Sequence, residues 1–370
     1  MTLPTQMTAV QLTGHGGLDK LILRHDVAVP RPGTGDVVIA VTAAGMNNTD
    51  INTRIGWYNR EVTTGTTSES GSKGLEASSQ DKGGWSGGLV FPRIQGMDAV
   101  GRIAAVGDGV PASRIGERVM VEPYIPDPDG GLPSIVGSER DGGFAQFLCV
   151  PAGQARTIPQ DMPADDAALA TLPCSGGTAM NMALLAGARA GDLALVTGAS
   201  GGVGSFLVQI LTHMGAEVVA IAGGSKAQAV RGLGAAHVVA RESTNIAAEV
   251  MEATGGRAPS LIADVVGGDH FAPLLALLGR GGRYVVSGAI GGPVVPLDLR
   301  TLYLNELTFF GSTAYRDDVF PTLLRFVAEG GVRPAVWKTR PLAEIAAAQT
   351  EFLEKHHVGS IVLLPPPAGA

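Results

Sequence analysis

The segment Leu195-Val-Thr-Gly-Ala-Ser-Gly-Gly-Val-Gly-Ser205 carries the strongest chemical signal in the chain. An apolar run, Leu193–Val196, leads straight into glycines, and a helical pattern follows in Phe206, Leu207, Ile210, Leu211 and Met214. A turn of this kind cradles phosphate. The first N–H groups of the helix are free, and the helix dipole places its positive end beside them. Ala199, Gly201 and Gly204 hold the spacing of a dinucleotide fingerprint. Its middle glycine lets backbone approach a pyrophosphate, and its last lets the helix lie close to the strand. Ala199 replaces the usual first glycine, with Gly198 just before it. Gly198, Ala199, Ser200, Gly201, Gly202, Val203 and Gly204 are therefore candidate cofactor-binding residues.

The next apolar strand, Glu217–Ala222, bears on which dinucleotide is bound. A carboxylate about 20 residues past the glycines usually holds the ribose 2′-OH of NADH. Here Ala222, Gly223 and Gly224 are followed by Ser225 and Lys226. A hydroxyl and a cation suit a 2′-phosphate, so the expected cofactor is NADP(H). Arg231 and Arg241 add cations nearby, and Val266 and Gly288, each past an apolar strand, join Arg241 in the expected cofactor set.

These residues need a frame. Residues 1–160 read as short strands joined by Gly and Pro turns, such as Asp36–Val41, Gly101–Val106 and Gly116–Val121, a pattern of barrel-like β domains. The stretch 61–88 breaks it, being polar and without periodicity, which fits either a lid or a disordered loop. From Asp165 onward apolar strands alternate with amphipathic helices, the pattern of a doubly wound parallel sheet. The expected division is 1–160, 161–318 and a closing segment 319–370 with two helices and a last strand, Ser360–Leu364.

Composition excludes several functions. Of 370 residues 45% are hydrophobic and 16% charged, which suits buried globular domains. The net charge of -7 and the lack of a basic stripe argue against nucleic-acid binding. The apolar runs are strand-sized, so no membrane span is expected. No basic n-region precedes an apolar h-region at the N-terminus, and the expected location is the cytoplasm. The 2 cysteines, Cys149 and Cys174, cannot form a disulfide framework or a four-Cys zinc lobe.

The chain resembles the medium-chain dehydrogenase/reductase superfamily, in its zinc-independent quinone oxidoreductase and enoyl reductase branches. The segments that carry this are Ala44–Ile51, Ile94–Gly107, Gly116–Val119, Leu172–Ala179, Asp264–Gly268 and His357–Val362. The resemblance implies an α/β architecture: a GroES-like β-rich catalytic domain, a Rossmann domain, and a last segment returning to the first. Cofactor and a small-molecule substrate would meet between them. It also implies a homodimer formed by extending the sheet at the edge strand Leu307–Phe310.

Zinc-dependent relatives carry a Cys, a His and a further ligand where this chain has Asn47, Met97 and Cys174. A catalytic zinc needs three protein ligands, so no metal is expected, and Asp50 reads as a local cap. Without a Lewis acid an unactivated alcohol is a poor substrate. A quinone, enone or enoyl thioester is easier, since hydride addition leaves only an enolate to be stabilised and protonated. By resemblance to enoyl thioester reductases, Tyr58 is the candidate proton donor, or else an aromatic wall of the cleft. Asn47 is the second catalytic candidate, as a hydrogen-bonding partner of substrate or ribose, or a structural amide. Thr178 lies near the nicotinamide or caps its helix. Arg54, Arg60 and Arg93 are candidate cations for a thioester carrier, and His356-His357 read as an exposed pair. Two alternatives stand beside the reductase: a zinc-type alcohol dehydrogenase relative with a degenerate metal site, and a non-catalytic NADPH-binding protein.

Overall fold

The structure is a computed structural model and describes residues 3–75 and 83–367. The alternating half of the chain builds a 6-stranded sheet. Its strands lie in the order His237–Ala240, Glu217–Ala222, Leu193–Val196, Leu261–Asp264, Arg283–Val286 and Thr308–Gly311. Every neighbouring pair is parallel. Leu193–Val196 comes first in the chain and sits centrally. From it the chain winds outward on one side, then crosses to Leu261–Asp264 and winds outward on the other. This reversal opens a crevice beyond the carboxyl ends of the two central strands, the usual ligand position in open α/β sheets. Both strands are buried along their whole length, as expected of strands covered by helices on both faces.

The helix Gly202–His213 packs Phe206, Leu207, Ile210 and Leu211 against this sheet. Burying each such side chain contributes roughly 1.5–3 kcal/mol. Its first turn approaches the preceding strand so closely that a Cβ on Gly204 would fall 2.2 Å from the Gly198 carbonyl oxygen. Gly198 itself has φ +58, a left-handed conformation that glycine adopts without strain.

The β-rich half surrounds a second core that includes Val38, Ile39, Ile103, Phe144 and Leu148. Its central strand, Asp36–Gly45, pairs antiparallel with Val100–Val106, Phe147–Pro151 and Ser360–Leu364. The last of these places Val362 opposite Gly45 and Leu363 opposite Ala44, so the end of the chain returns to the first sheet. Sequence reasoning missed one strand there, Val336–Pro341, which pairs parallel with Ser360–Leu364. It is the last in its sheet, and Lys338 and Arg340 on it dilute the apolar signal. Charged residues are common on such edges.

The aperiodic stretch 61–88 is not a plain loop. It contains the helix Ser68–Lys73, whose start is capped by the Thr67 side chain accepting from the Ser70 amide. Arg54, fully buried, holds the helix in place. Its guanidinium donates to the carbonyls of Gly16 at 2.7 Å and Gly71 at 2.5 Å and to Gln349 Oε1 at 3.0 Å. Nearby, the Thr66 amide donates to Ile290 O at 3.0 Å, joining this stretch to a loop of the parallel-sheet half. Residues 76–82 of the stretch 61–88, read as a lid or a disordered loop, lie outside the described residues. Among the described residues no helix is long and apolar enough to cross a membrane.

Candidate functional site

A cleft of about 800 Å³ runs between the two halves. Its floor is the crevice of the parallel sheet. Gly198, Ser200, Gly201, Gly202, Val203 and Gly204 line it, as do Lys226, Arg241, Val266, Gly288 and Thr178. Two expected residues do not. Ala199 is fully buried, its amide donating to Ile221 O at 3.1 Å, and Ser225 is exposed outside the lining. Ala199 points into the packing behind the turn because that position joins strand to strand.

Asp264 organises the second turn of the floor. Buried at the end of its strand, it accepts from Thr197 Oγ1 at 2.5 Å, Tyr284 Oη at 2.6 Å and the amides of Val266 and Gly267 at 2.8 and 3.1 Å. Those bonds tie the two central strand ends together under the cleft. Sequence inspection offered Asp264 only as part of a motif, since its partners come from three separate strands or turns.

Past the strand Glu217–Ala222, the Gly223–Gly224 turn meets a carboxylate from the turn after the strand His237–Ala240. Glu242 Oε2 accepts the Gly224 amide at 3.0 Å, and its Oε1 accepts from Arg241 Nε at 3.1 Å. Counting residues along one strand cannot reveal a side chain that arrives from the next.

The opposite wall comes from the helix Asn48–Ile55 and the segments after it. Asp50 caps this helix, accepting the Asn47 amide at 2.8 Å. Of the three residues read above as standing at zinc-ligand positions, Asn47 and Cys174 are linked through Asp98, and Met97 packs beside Cys174. Asn47 Nδ2 donates to Asp98 Oδ2 at 2.7 Å, the Cys174 amide donates to Asp98 Oδ1 at 2.6 Å, and Ser175 Oγ donates to Asn47 Oδ1 at 2.8 Å. Met97 and Cys174 share a small apolar cluster with Tyr124 and Ile135. Burial pushes the carboxyls of both Asp50 and Asp98 up to about 7 and the Cys174 thiol well above its ordinary range. Among the described residues no group of three His, Cys, Asp or Glu side chains converges as a metal site.

Beyond this network the cleft is aromatic. Trp57, Tyr58, Trp85 and Tyr124 line it. Tyr58 and Trp85 have ring centroids 5.1 Å apart, and Trp85 and Tyr124 are 5.9 Å apart. Such pairs contribute about 0.5–1.5 kcal/mol beyond their burial and fix one another's orientation. Tyr58 Oη shares a hydrogen bond of 2.9 Å with Thr49 Oγ1, which also accepts from Trp85 Nε1 at 3.1 Å. Burial moves the Tyr58 hydroxyl to a higher pKa than a free phenol. Thr178 Oγ1 meets Tyr315 Oη at 3.1 Å, and the Tyr315 hydroxyl also reaches the Pro173 and Cys174 carbonyls at 2.9 Å.

Arg54 and Arg93 are not available as cations for a thioester carrier. Arg54 is spent on buried carbonyls, and Arg93 bonds Asp141 at 2.9 Å. Arg60 is exposed and does not line the cleft. His357 is not part of an exposed pair. It is 5% exposed, lines the cleft and stacks on Trp337.

The comparisons agree with this arrangement. Residues 33–160 match the alcohol dehydrogenase GroES-like domain family, and residues 202–329 match the zinc-binding dehydrogenase family. The structure of a candidate alcohol dehydrogenase from Sinorhizobium meliloti is 43% identical, covers 98% of each chain and superposes with a TM-score of 0.87. A quinone oxidoreductase from Lama guanicoe is 28% identical, covering 97% of each chain. An acryloyl-coenzyme A reductase from Metallosphaera sedula is also 28% identical, over 96% of this chain and 99% of its own. The chain belongs to the medium-chain dehydrogenase/reductase superfamily of pyridine-nucleotide-dependent oxidoreductases, in its quinone-oxidoreductase-like branch.

Proposed function

We propose that this oxidoreductase reduces a quinone or α,β-unsaturated carbonyl with NADPH and without catalytic zinc. The observation that carries this reading is the shared cleft. A phosphate-cradling turn forms one end, and an aromatic chamber with the buried Tyr58 hydroxyl forms the other.

The turn fits a dinucleotide by its own geometry. Of Gly198 to Gly204, Ser200 and Val203 are the residues with side chains that line the cleft, and the first amides of the helix Gly202–His213 have no intrahelical partner, which suits a phosphate. When bound, a nicotinamide supplies hydride to the electron-poor carbon of a conjugated acceptor. The electron pair of the acceptor's double bond then moves toward its carbonyl, which must be stabilised and finally protonated. Tyr58 holds a proton at Oη. Burial keeps that proton on oxygen through the neutral range, and the hydrogen bond with Thr49 Oγ1 holds the hydroxyl oxygen in place. Planar rings on several sides favour a flat acceptor and exclude water.

Asn47 acts as a positioning residue in this reading. Both ends of its amide are engaged, by Asp98 and Ser175, so the amide holds the wall rather than the substrate. The same network supports a zinc-independent site, because an amide, a thioether and one thiol are a poor donor set for zinc. Lys226 and Arg241 favour the 2′-phosphate of NADPH. Glu242, bonded to Gly224 beside them, favours the free 2′-OH of NADH, and this makes NADH the second reading. A homodimer through the edge strand Thr308–Gly311 completes the proposal.

The test is oxidation of NADPH and NADH side by side on purified protein, with 1,4-benzoquinone, a simple enone, crotonyl-coenzyme A and an aldehyde as acceptors. NADPH-selective turnover of the quinone or enone is expected. Turnover of the aldehyde alone, abolished by a chelator, would overturn the zinc-free reading. Tight nucleotide binding without turnover of any acceptor would leave a binding protein.

A further inference from the structure

One hydroxyl behind the cleft wall grips several parts of that wall at once. Tyr315 stands just past the edge strand Thr308–Gly311 and does not itself line the cleft. Its ring lies against Gly177, where a Cβ would fall 2.6 Å from ring carbon Cε2. Gly177 has an ordinary helical φ of -60, so glycine serves there to admit the ring and not to relieve the backbone. The ring also packs edge-on to Tyr124 of the aromatic chamber, with centroids 4.6 Å apart. Asn181, buried on the helix Gly177–Leu185, clamps the same segment. Its Nδ2 donates to Ser312 Oγ at 2.9 Å and to the Ala314 carbonyl at 3.1 Å, and its Oδ1 accepts the Arg316 amide at 3.3 Å.

The inventory of donors and acceptors gives the bonds a direction. Carbonyl oxygens only accept. The single Tyr315 proton therefore goes to the carbonyls of Pro173 and Cys174, each 2.9 Å away. Burial raises the Tyr315 hydroxyl well above the ordinary phenol range, so the proton stays in place. The contact of 3.1 Å with Thr178 then runs the other way, from the Thr178 hydroxyl into Tyr315 Oη. Thr178 lines the cleft with its proton committed behind it, and offers the cleft lone pairs only.

The turn that Tyr315 grips is of a rare kind. Leu172–Gly176 is one π-helical turn ahead of the helix Gly177–Leu185, and every residue of it is buried. Such turns recur at functional sites. This one brings Cys174 and Ser175 to the cleft lining. Ser175 abuts the start of the helix Gly202–His213, where a Cβ on Gly202 would fall 2.5 Å from Ser175 Oγ. From the first half, Asp98 takes the Cys174 amide at 2.6 Å. From the parallel-sheet half, Tyr315 takes the carbonyls. The turn is thus held from both sides, between the glycine floor and the aromatic chamber.

We propose that Tyr315 is a positioning residue for the hydride-transfer step. It touches neither substrate nor cofactor. It fixes the Leu172–Gly176 turn and sets Thr178 as an acceptor facing the cleft. This rests on the reductase reading above. Hydride transfer needs its reacting atoms about 3–3.5 Å apart, and a displacement of about 1 Å can cost a hundredfold in rate. A loosened turn lets the wall between floor and chamber shift. Tyr315 therefore acts on rate and not on nucleotide affinity.

Three variants test this. Tyr315→Phe keeps the ring and removes the hydroxyl. Thr178→Val removes the other end of their bond. Gly177→Ala leaves both hydroxyls and displaces the ring. Each is compared with the parent chain by NADPH calorimetry, by thermal melting, and by turnover of 1,4-benzoquinone and a simple enone. NADPH deuterated at C4 gives the isotope effect. Tyr315→Phe should lower kcat and kcat/KM together by about tenfold to a hundredfold. Its deuterium isotope effect on kcat should rise, because hydride transfer becomes the slow step, and its NADPH affinity should be unchanged. Gly177→Ala should give the same signature with the Tyr315 hydroxyl still present. Tyr315→Phe combined with Thr178→Val should lose less than the product of the two single losses, since both cut one bond. A lower melting temperature with kcat and isotope effect unchanged would make Tyr315 merely structural and overturn the proposal. Loss of NADPH affinity matching the loss in kcat would overturn it too, as would losses that multiply in the double variant. A parent chain that turns over no acceptor defeats the reductase reading, and this assignment with it; an active parent with fully active variants defeats this assignment alone.

Discussion

Tyr58 and Thr49 share a hydrogen bond of 2.9 Å at the rim of the aromatic chamber, one helix-length apart in the chain. The Asn48–Ile55 helix ends at Gly56, whose left-handed φ of 74 turns the chain so that Tyr58 comes back over Thr49. If Tyr58 donates the proton, Tyr58→Phe removes it while keeping the ring. The expected loss in kcat with an enone is about 10²–10⁴-fold, the usual contribution of general acid catalysis. KM and melting temperature should change little. Full activity in Tyr58→Phe would show that the ring is only a wall. The raised pKa of the hydroxyl has a second consequence: activity should not decline below pH 10 through ionisation of this group.

A pH dependence of stability follows from the pair Asp50 and Asp98. Burial raises each carboxyl from 3.8 to about 7. Between those values the folded chain holds more protons than the unfolded chain. These two groups therefore stabilise the fold most at the acid end of the window, and that contribution is lost as pH rises toward 7. Asp98→Asn removes one of them. It also leaves one acceptor oxygen for two donors, Asn47 Nδ2 and the Cys174 amide, a loss of roughly 1–3 kcal/mol when a buried donor goes unpaired. Melting of both proteins from pH 4.5 to 8 checks this. The gap between them should narrow by roughly 1–3 kcal/mol as pH rises. A constant gap would mean that Asp98 stays ionised across the window.

Local pattern reveals local structure, and the glycine turn is the clearest case. Leu193–Val196, the glycines and the apolar face of Gly202–His213 are contiguous, so their spacing alone yields strand, turn and helix. The parallel sheet follows from repetition of that unit. The features that escaped are those assembled from distant segments. Glu242 reaches Gly224 from the turn after a neighbouring strand, and Lys355 reaches Asn48 across 307 positions. The helix Ser68–Lys73 lies in a stretch with no apolar period, and a buried arginine rather than an apolar face secures it. His357 looks like an exposed pair with His356, but the last strand turns it inward.

The edge of the parallel sheet supports a specific assembly. Among the described residues Thr308–Gly311 pairs only with Arg283–Val286, on one side. Beside it the helix Leu299–Leu304 leaves Leu299 64%, Tyr303 62% and Leu304 63% exposed. Adjacent apolar side chains at this exposure mark an interaction surface, and an unpaired edge is a template for a second strand. Two copies joined here would continue the sheet. Light scattering after size exclusion should give the mass of two chains, and Tyr303→Asp with Leu304→Asp should give the mass of one, with melting shifted by a few degrees. A monomeric parent chain would rule the assembly out.

In the proposed reading, cofactor choice turns on Glu242 and Arg241. The carboxylate holds the Gly224 amide and the Arg241 guanidinium together, beside Gly223 and Arg241 of the cleft lining. A 2′-phosphate gains from Arg241 and Lys226 but is repelled by Glu242. A 2′-OH gains a carboxylate acceptor instead. Glu242→Gln keeps size and one acceptor while removing the charge, so the ratio of kcat/KM for NADPH over NADH should rise about two- to fivefold, roughly the value of one charge interaction at an exposed site. Arg241→Ala should lower the same ratio by a similar factor. If neither variant moves it, the 2′ position of the ribose lies away from both residues, and discrimination rests on Lys226 alone. If Glu242→Gln weakens both cofactors equally, the carboxylate acts by fixing the Gly223–Gly224 turn, and not by its charge.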